Sequence, residues 1–254
     1  MEKLRNAIEK AAPDLVLITG DLVRDALRVS EKVAGAYYDL FMTEIQKIKP
    51  PVWCVPGNHE IFGIERHLSL VSAQHPLYGI KMYRHYLGPD YYSFNYGGIH
   101  FVGLNSLKFD DLWYYGAIDS LQLEWLKKDI ALLARETPVV TFQHVPFYSG
   151  GMSISPFQED GPGRTTEKVD GVKQFRHIVA NAQDVLGILK DRIYPVALAG
   201  HYHFRQNFTL EGLQTRFEQT GAVIGPAEQG IIKMPSGITL YQVKDGKISE
   251  GKFI

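Results

Sequence analysis

Three observations predict an α/β fold in four layers, an αββα sandwich of two mixed β-sheets flanked by helices. The first half of the chain alternates strand-like and helix-like runs, the mark of helices packed on a largely parallel sheet. A strong hairpin signal interrupts that alternation near residue 97. The last fifty residues turn β-rich, with short apolar runs and a tight-turn dipeptide between two of them. No internal repeat, low-complexity tract or linker divides the chain, so residues 1–254 are expected to form one domain.

Taken in order, residues 2–11 carry Leu4, Ile8 and Ala11 at helical spacing, and Pro13 closes the segment. Residues 14–19 form an apolar strand that runs into Gly20-Asp21. Ser30 is the N-cap of a helix to about Ile48, with Val33, Tyr37, Phe41 and Ile45 on one face. Pro50-Pro51 stops it, and the strand 52–55 leads through Pro56 and Gly57 into Asn58-His59-Glu60. A short helix is expected over residues 65–73. Residues 91–96 and 99–104 pair across Gly97-Gly98, a composition that suits a tight primed turn. Asp119 caps a helix to about Ala134, and the strand 137–142 runs into Gln143-His144. Residues 145–171 are rich in Gly, Ser, Pro and charge, which predicts a long loop that contacts substrate or covers the site. A helix over 172–190 and a strand over 194–199 follow, the latter ending in Gly200-His201-Tyr202-His203. In the tail, 237–243 and 247–249 are strands joined at Asp245-Gly246.

A hydrophobic content of 45% with 22% charged residues is that of an ordinary globular chain long enough for a substantial core. The net charge of −1 excludes a general electrostatic attraction to nucleic acid or anionic lipid. Cys54 is the sole cysteine, so no intramolecular disulfide exists, and it reads as a small buried hydrophobe. No stretch has the length of a membrane span, and the N-terminus lacks the apolar core of a secretory signal. The expected location is cytoplasmic, unless a leader has been lost upstream.

Four apolar runs end in metal-ligand residues: Asp21, Asn58, His144, and the pair His201 and His203. Open α/β sheets bind ligands just beyond the carboxyl ends of their strands, so four such ends predict one shared site. In extended backbone, residues i and i+2 leave the same face, which would aim both imidazoles of His201 and His203 at one point. Neutral imidazole suits Zn, Mn, Fe, Co or Ni, and the reading is therefore a metal centre.

In order and spacing, Gly20-Asp21, Gly57-Asn58-His59-Glu60, His144 and Gly200-His201-Tyr202-His203 resemble the calcineurin-like metallophosphoesterases over nearly the whole chain. The resemblance implies the αββα sandwich and two divalent metal ions about 3.5–4 Å apart. It casts Asp21 as the bridge between them, with Asn58, His144 and His201 on one ion and His203 on the other. His59 becomes the catalytic group facing the leaving alcohol, held by the Glu60 carboxylate. Purple acid phosphatases place a tyrosine where this chain has Arg24, and the Ser/Thr protein phosphatases carry arginine-bearing signatures that Gly20-Asp21-Leu22-Val23-Arg24-Asp25 does not match, so both subfamilies are set aside. The bacterial-type phosphohydrolases, including those that resemble cyclic-nucleotide phosphodiesterases, are retained.

The family opens on a strand ending Asp-x-His, two ligands for the His203 ion, and no such motif occurs in the first fifty residues. The expectation is a sequence that starts after that strand, with only one metal site fully supplied. Asp14 and Asp25 are the conceivable replacements. The expected activity is hydrolysis of a phosphomonoester or phosphodiester, a small molecule, by a hydroxide held on the metals, with His59 assisting departure. The alternative is a non-catalytic scaffold of the same fold with an incomplete site. Phe147, Tyr148, Arg164 and Arg205 are the candidate substrate contacts, weighed against loop packing. Asn105 and Ser106 are candidate supports.

Overall fold

The computed structural model describes residues 2–65, 67–110, 113–154, 165–229 and 232–254. The chain begins with α1 (Glu2–Ala11), β1 (Val16–Ile18), α2 (Glu31–Ile45) and β2 (Val52–Cys54), followed by a single 3-10 turn over Asn58–Glu60. Then come α3 (Lys81–Leu87), β3 (Tyr92–Tyr96), β4 (Ile99–Leu104), β5 (Leu107–Phe109), β6 (Tyr114–Gly116), α4 (Ser120–Ala131) and β7 (Val139–Gln143). The second half holds α5 (Gly151–Ile154), β8 (Thr166–Val169), β9 (Val172–Phe175), α6 (Ala182–Leu189), β10 (Val196–Ala199), β11 (Gln206–Thr209) and β12 (Arg216–Gln219). Six short strands close the chain: β13 (Ala227–Gln229), β14 (Ile232–Met234), β15 (Thr239–Leu240), β16 (Val243–Lys244), β17 (Lys247–Ile248) and β18 (Lys252–Phe253).

The main sheet has six strands in the order β11-β12-β10-β7-β4-β3. Its four central strands are parallel, and the edges β11 and β3 are antiparallel to their neighbours, so the sheet is mixed. Alternation along each strand separates two cores. Phe101, Val140, Phe142, Val196 and Leu198 face inward, where Leu17 and Trp53 of the β1–β2 ladder and Tyr241, Val243 and Ile248 of the tail cover them. Val102, Leu104, Val139 and Ala197 face the other way, onto Leu126 and Ile130 of α4 and Val185, Leu186 and Leu189 of α6. On the far side of β1 and β2, Ile18, Val52 and Cys54 pack against Ala34, Tyr38 and Phe41 of α2. Helix, ladder, six-stranded sheet, helices: those are the four layers expected, with the second sheet broken into two-stranded pieces.

Local chemistry explains the well-placed elements. Asp119 caps α4 by accepting from the Gln122 amide at 2.9 Å, as its side chain predicts. The β3–β4 hairpin turns on two left-handed residues, Gly97 and Gly98. Phe94 is committed to sheet packing, stacked on Trp53 at 4.2 Å and on Phe101 at 5.3 Å. Among the described residues no helix is long and apolar enough to cross a membrane.

Two expectations are corrected. Residues 65–73 contain turns and bends rather than a helix among their described positions. The helix expected over 172–190 is in fact strand β9 followed by α6. Asp170-Gly171, both at positive φ, make a tight turn that pairs β8 with β9, and helix begins only at Ala182. A helical period was read where turn chemistry decided the outcome.

Candidate metal centre

The carboxyl ends of β1, β2, β7 and β10 meet, as the parallel ladders β1–β2 and β7–β10 require. Close approach there needs small residues. A Cβ on Gly20 would lie 2.6 Å from His144 Nδ1, and one on Gly57 would overlap the amide and carboxylate of Asp21. Glycine at 20 and 57 therefore lets the three loops touch.

The loops bring four side chains onto one point. His144, only 1% exposed, has its Nε2 3.3 Å from Asp21 Oδ1, 3.1 Å from Asn58 Oδ1 and 3.0 Å from His201 Nδ1. Its other nitrogen, Nδ1, lies 2.7 Å from the Thr19 carbonyl. A carbonyl only accepts, so the His144 proton sits on Nδ1 and Nε2 presents a bare lone pair. That lone pair faces a carboxylate oxygen and an amide oxygen, neither of which can supply a proton. Either a proton from His201 Nδ1 or a cation would satisfy that lone pair. Bonds of about 2.1 Å at right angles would set neighbouring donors about 3 Å apart, the spacing found. The donor set, two oxygens and two imidazole nitrogens, suits a divalent transition metal. Among the described residues no group of three or more His, Cys, Asp or Glu side chains, Asp21, His144 and His201 included, forms a ready-made metal position.

Burial lowers the pKa of His144, against the pull of Asp21 and the Thr19 carbonyl, and lowers that of His201 well below the ordinary value. Both rings are therefore neutral at pH 7, the form that binds metal. Backbone strain gathers here too: Asp21, His201 and His203 adopt φ of +54°, +74° and +62°.

His59 stands beside the cluster. Its Nδ1 donates to the Arg24 carbonyl at 2.6 Å, which leaves Nε2 4.0 Å from Asp21 Oδ2 on a side chain 37% exposed. Burial works against its charged form, but Asp21, Glu60 and the Arg24 carbonyl outweigh it and raise the pKa above 6.5.

Glu60 does not hold the His59 ring as expected. Its carboxylate is fully buried and accepts from the amides of Gly57, Asp21, Leu22 and Val23 at 2.6–2.9 Å. Burial and the Asp21 carboxylate push its pKa up to about 7, against the pull of the amides. Four donors fill its four lone-pair positions, so its work is to clamp the Asp21 loop to the Gly57 loop.

His203 lies near enough for its charge to bear on His144 and His201. The extended backbone assumed for residues 201–203 is replaced by a tight left-handed bend, so the two-residue rule does not apply. His203 lines a cavity of about 230 Å³ with Ala222, Ile224, Gly225 and Met234. Tyr202 folds back onto the rings of His201 and His177, 5.5 and 5.9 Å away. The Asp25 carboxylate accepts from the Leu27 amide in its own turn. Asp14 precedes β1, at the opposite end from the site.

The other candidates are committed elsewhere. Phe147 is core, Tyr148 packs edge-on to Phe217, and the Arg205 guanidinium lies over the Phe253 ring. Arg164 lies outside the described residues. Ser106 supports the site, its hydroxyl accepting from Val145 N just after His144, while Asn105 bonds Asp90 and Gln122 instead. His177, which sequence reasoning missed, lies 2.7 Å from His201 Nε2.

A family model described as calcineurin-like phosphoesterase matches residues 1–205. The chain belongs to that family. Among the relatives of this calcineurin-like phosphoesterase is purple acid phosphatase 15 of Arabidopsis thaliana, 30% identical over 163 residues. The match takes in 54% of this chain and 29% of the plant protein, so the chain spans under a third of that relative. Setting the purple acid phosphatases aside on Arg24 alone thus separated one position, not the two sequences. Two solved structures share the fold. A dimetal phosphatase from Danio rerio superposes with TM-score 0.54 at 17% identity, over 85% of this chain and 75% of that one. GAP50, described as the anchor in the inner membrane complex of Plasmodium, gives 0.58 at 12% identity, over 98% and 76%. Family membership implies divalent metal ions.

Proposed function

We propose that this calcineurin-like phosphoesterase hydrolyses the phosphoester bond of a small molecule, with Asp21, Asn58, His144 and His201 holding a divalent cation and His59 assisting the leaving group. The observation that carries the reading is the convergence of Asp21 Oδ1, Asn58 Oδ1 and His201 Nδ1 on the unprotonated Nε2 of His144, with the ring of His59 beside them. A bound divalent cation supplies charge against the phosphoryl oxygens and makes water acidic enough to attack at neutral pH.

The chain's own residues do the rest. Thr19 fixes the His144 tautomer and Glu60 fixes the loops that carry Asp21 and Asn58. The Arg24 carbonyl orients His59 so that Nε2 faces the site, and the nearby carboxylates favour the protonated form of that ring. A proton on Nε2 is then placed to pass to the departing alkoxide. His203 and Asp21 are the donors this chain offers toward a second ion.

The test is hydrolysis of phenyl phosphate and of bis(4-nitrophenyl) phosphate after chelation, then with Mn²⁺, Zn²⁺, Co²⁺ or Ni²⁺ restored. Activity toward at least one ester, absent after chelation and recovered with a metal, is the expected result. One observation favours a second reading, a binding scaffold of the same fold: among the described residues no group of three His, Cys, Asp or Glu side chains forms a ready-made metal position. Tight cation binding with no hydrolysis of either ester would support that reading instead.

A further inference from the structure

We propose that His177 positions His201 for metal binding by accepting its Nε2 proton, which leaves the His201 Nδ1 lone pair aimed at the donor cluster. This rests on the cation reading above. The three imidazoles form a chain: His177 Nδ1 lies 2.7 Å from His201 Nε2, and His201 Nδ1 lies 3.0 Å from His144 Nε2. A neutral imidazole carries one proton, so only two arrangements fit. In one, His177 Nδ1–H donates to His201 Nε2 and His201 Nδ1–H donates to His144 Nε2, so neither inner ring offers a lone pair. In the other, His201 Nε2–H donates to His177 Nδ1 and both inner rings face the cluster with lone pairs. The second arrangement needs an acceptor beyond His201, and His177 supplies it. Ligating histidines commonly give their second N–H to such a partner, which fixes the ring and its tautomer.

His177 is itself held in place. Its ring meets that of His201 edge to edge, with centroids 5.0 Å apart and planes 27° from parallel. The segment after it is tied down by Val179 N to the Pro146 carbonyl and Ala180 N to the Gly116 carbonyl, both at 2.9 Å. Just before it, the Arg176 guanidinium lies over the rings of Trp113 and Tyr114, 4.7 and 4.4 Å from their centroids.

His177→Asn keeps an acceptor near the Nδ1 position, whereas His177→Phe keeps the ring and loses the acceptor. In competition titrations with Zn²⁺, the phenylalanine variant should bind about 10–100-fold more weakly than the natural chain, and the asparagine variant within about threefold. Thermal midpoints measured in chelator should not separate the two variants. Imidazole ¹⁵N shifts of the Zn²⁺-loaded natural chain should show His201 protonated on Nε2, a readout that needs no variant to fold. Equal Zn²⁺ affinity of the natural and phenylalanine chains, or a proton on His201 Nδ1 in the loaded chain, would overturn the role given to His177. Failure of the natural chain to bind Zn²⁺, Mn²⁺, Co²⁺ or Ni²⁺ at all would overturn the cation reading beneath it, and this proposal with it.

Discussion

Replacing His144 with alanine is expected to remove the metal and the activity together. Its Nε2 is the atom on which the other three donors converge, at 3.0–3.3 Å. Loss of an outer partner of a ligand costs about 10–100-fold in metal affinity, so loss of the central ligand should cost more, about 10³-fold or beyond. The side chain is fully buried, and its removal also strips the Thr19 carbonyl of its donor. That unpaired carbonyl costs about 1–3 kcal/mol of stability. The check is metal content by mass spectrometry after desalting, with thermal unfolding run alongside in chelator. His144→Ala that kept a full equivalent of metal would mean that the donors around Nε2 do not act as one site.

His59→Asn should do the opposite, sparing the metal while lowering turnover. Asparagine Nδ2 can still donate to the Arg24 carbonyl, so the loop keeps its hydrogen bond, but no transferable proton remains at the Nε2 position. Proton transfer by a positioned side chain contributes about 10²–10⁴-fold, and that is the loss expected for an ester of a poor leaving group. An ester of 4-nitrophenol, whose anion leaves unaided, should lose far less. The sign of the pH dependence follows from the raised pKa. A proton donor must be protonated, so a pKa above 6.5 carries activity further into the alkaline range before it falls, and the asparagine variant should lack that limb. A bound cation offsets the Asp21 charge and should draw the limb back toward lower pH. Equal losses for good and poor leaving groups would deny His59 this role.

Much of this was legible in residue order. Apolar runs ending in Asp21, Asn58 and His144 announced strands whose carboxyl ends converge, because parallel pairing brings like ends together. The sandwich followed from element order, α/β alternation broken by a hairpin and closed by a β-rich tail. Its strands carry consecutive apolar residues, such as Val139 and Val140 or Val196 and Ala197, each pair split between two cores. Glu60 was misread because a carboxylate beside a histidine suggests a pair, whereas its donors are backbone amides from residues 21–23, which no sequence pattern displays. The extended backbone expected at 201–203 did not hold: His201 and His203 are at positive φ, a conformation that leaves no mark in side-chain type. His177 was within reach. Asp170-Gly171 between Thr166–Val169 and Val172–Phe175 is the same kind of turn signal that located Gly97-Gly98, and the strand it defines ends beside Arg176 and His177. A helical period imposed on 172–190 hid it.

The most direct test of the metal centre is a crystal of the chain soaked in Mn²⁺, with anomalous scattering recorded at a wavelength where manganese dominates. The peak should fall within bonding distance, about 2.1–2.3 Å, of Asp21 Oδ1, Asn58 Oδ1, His144 Nε2 and His201 Nδ1 at once. A peak bound by other side chains, with those four atoms still clustered on one another, would contradict the account.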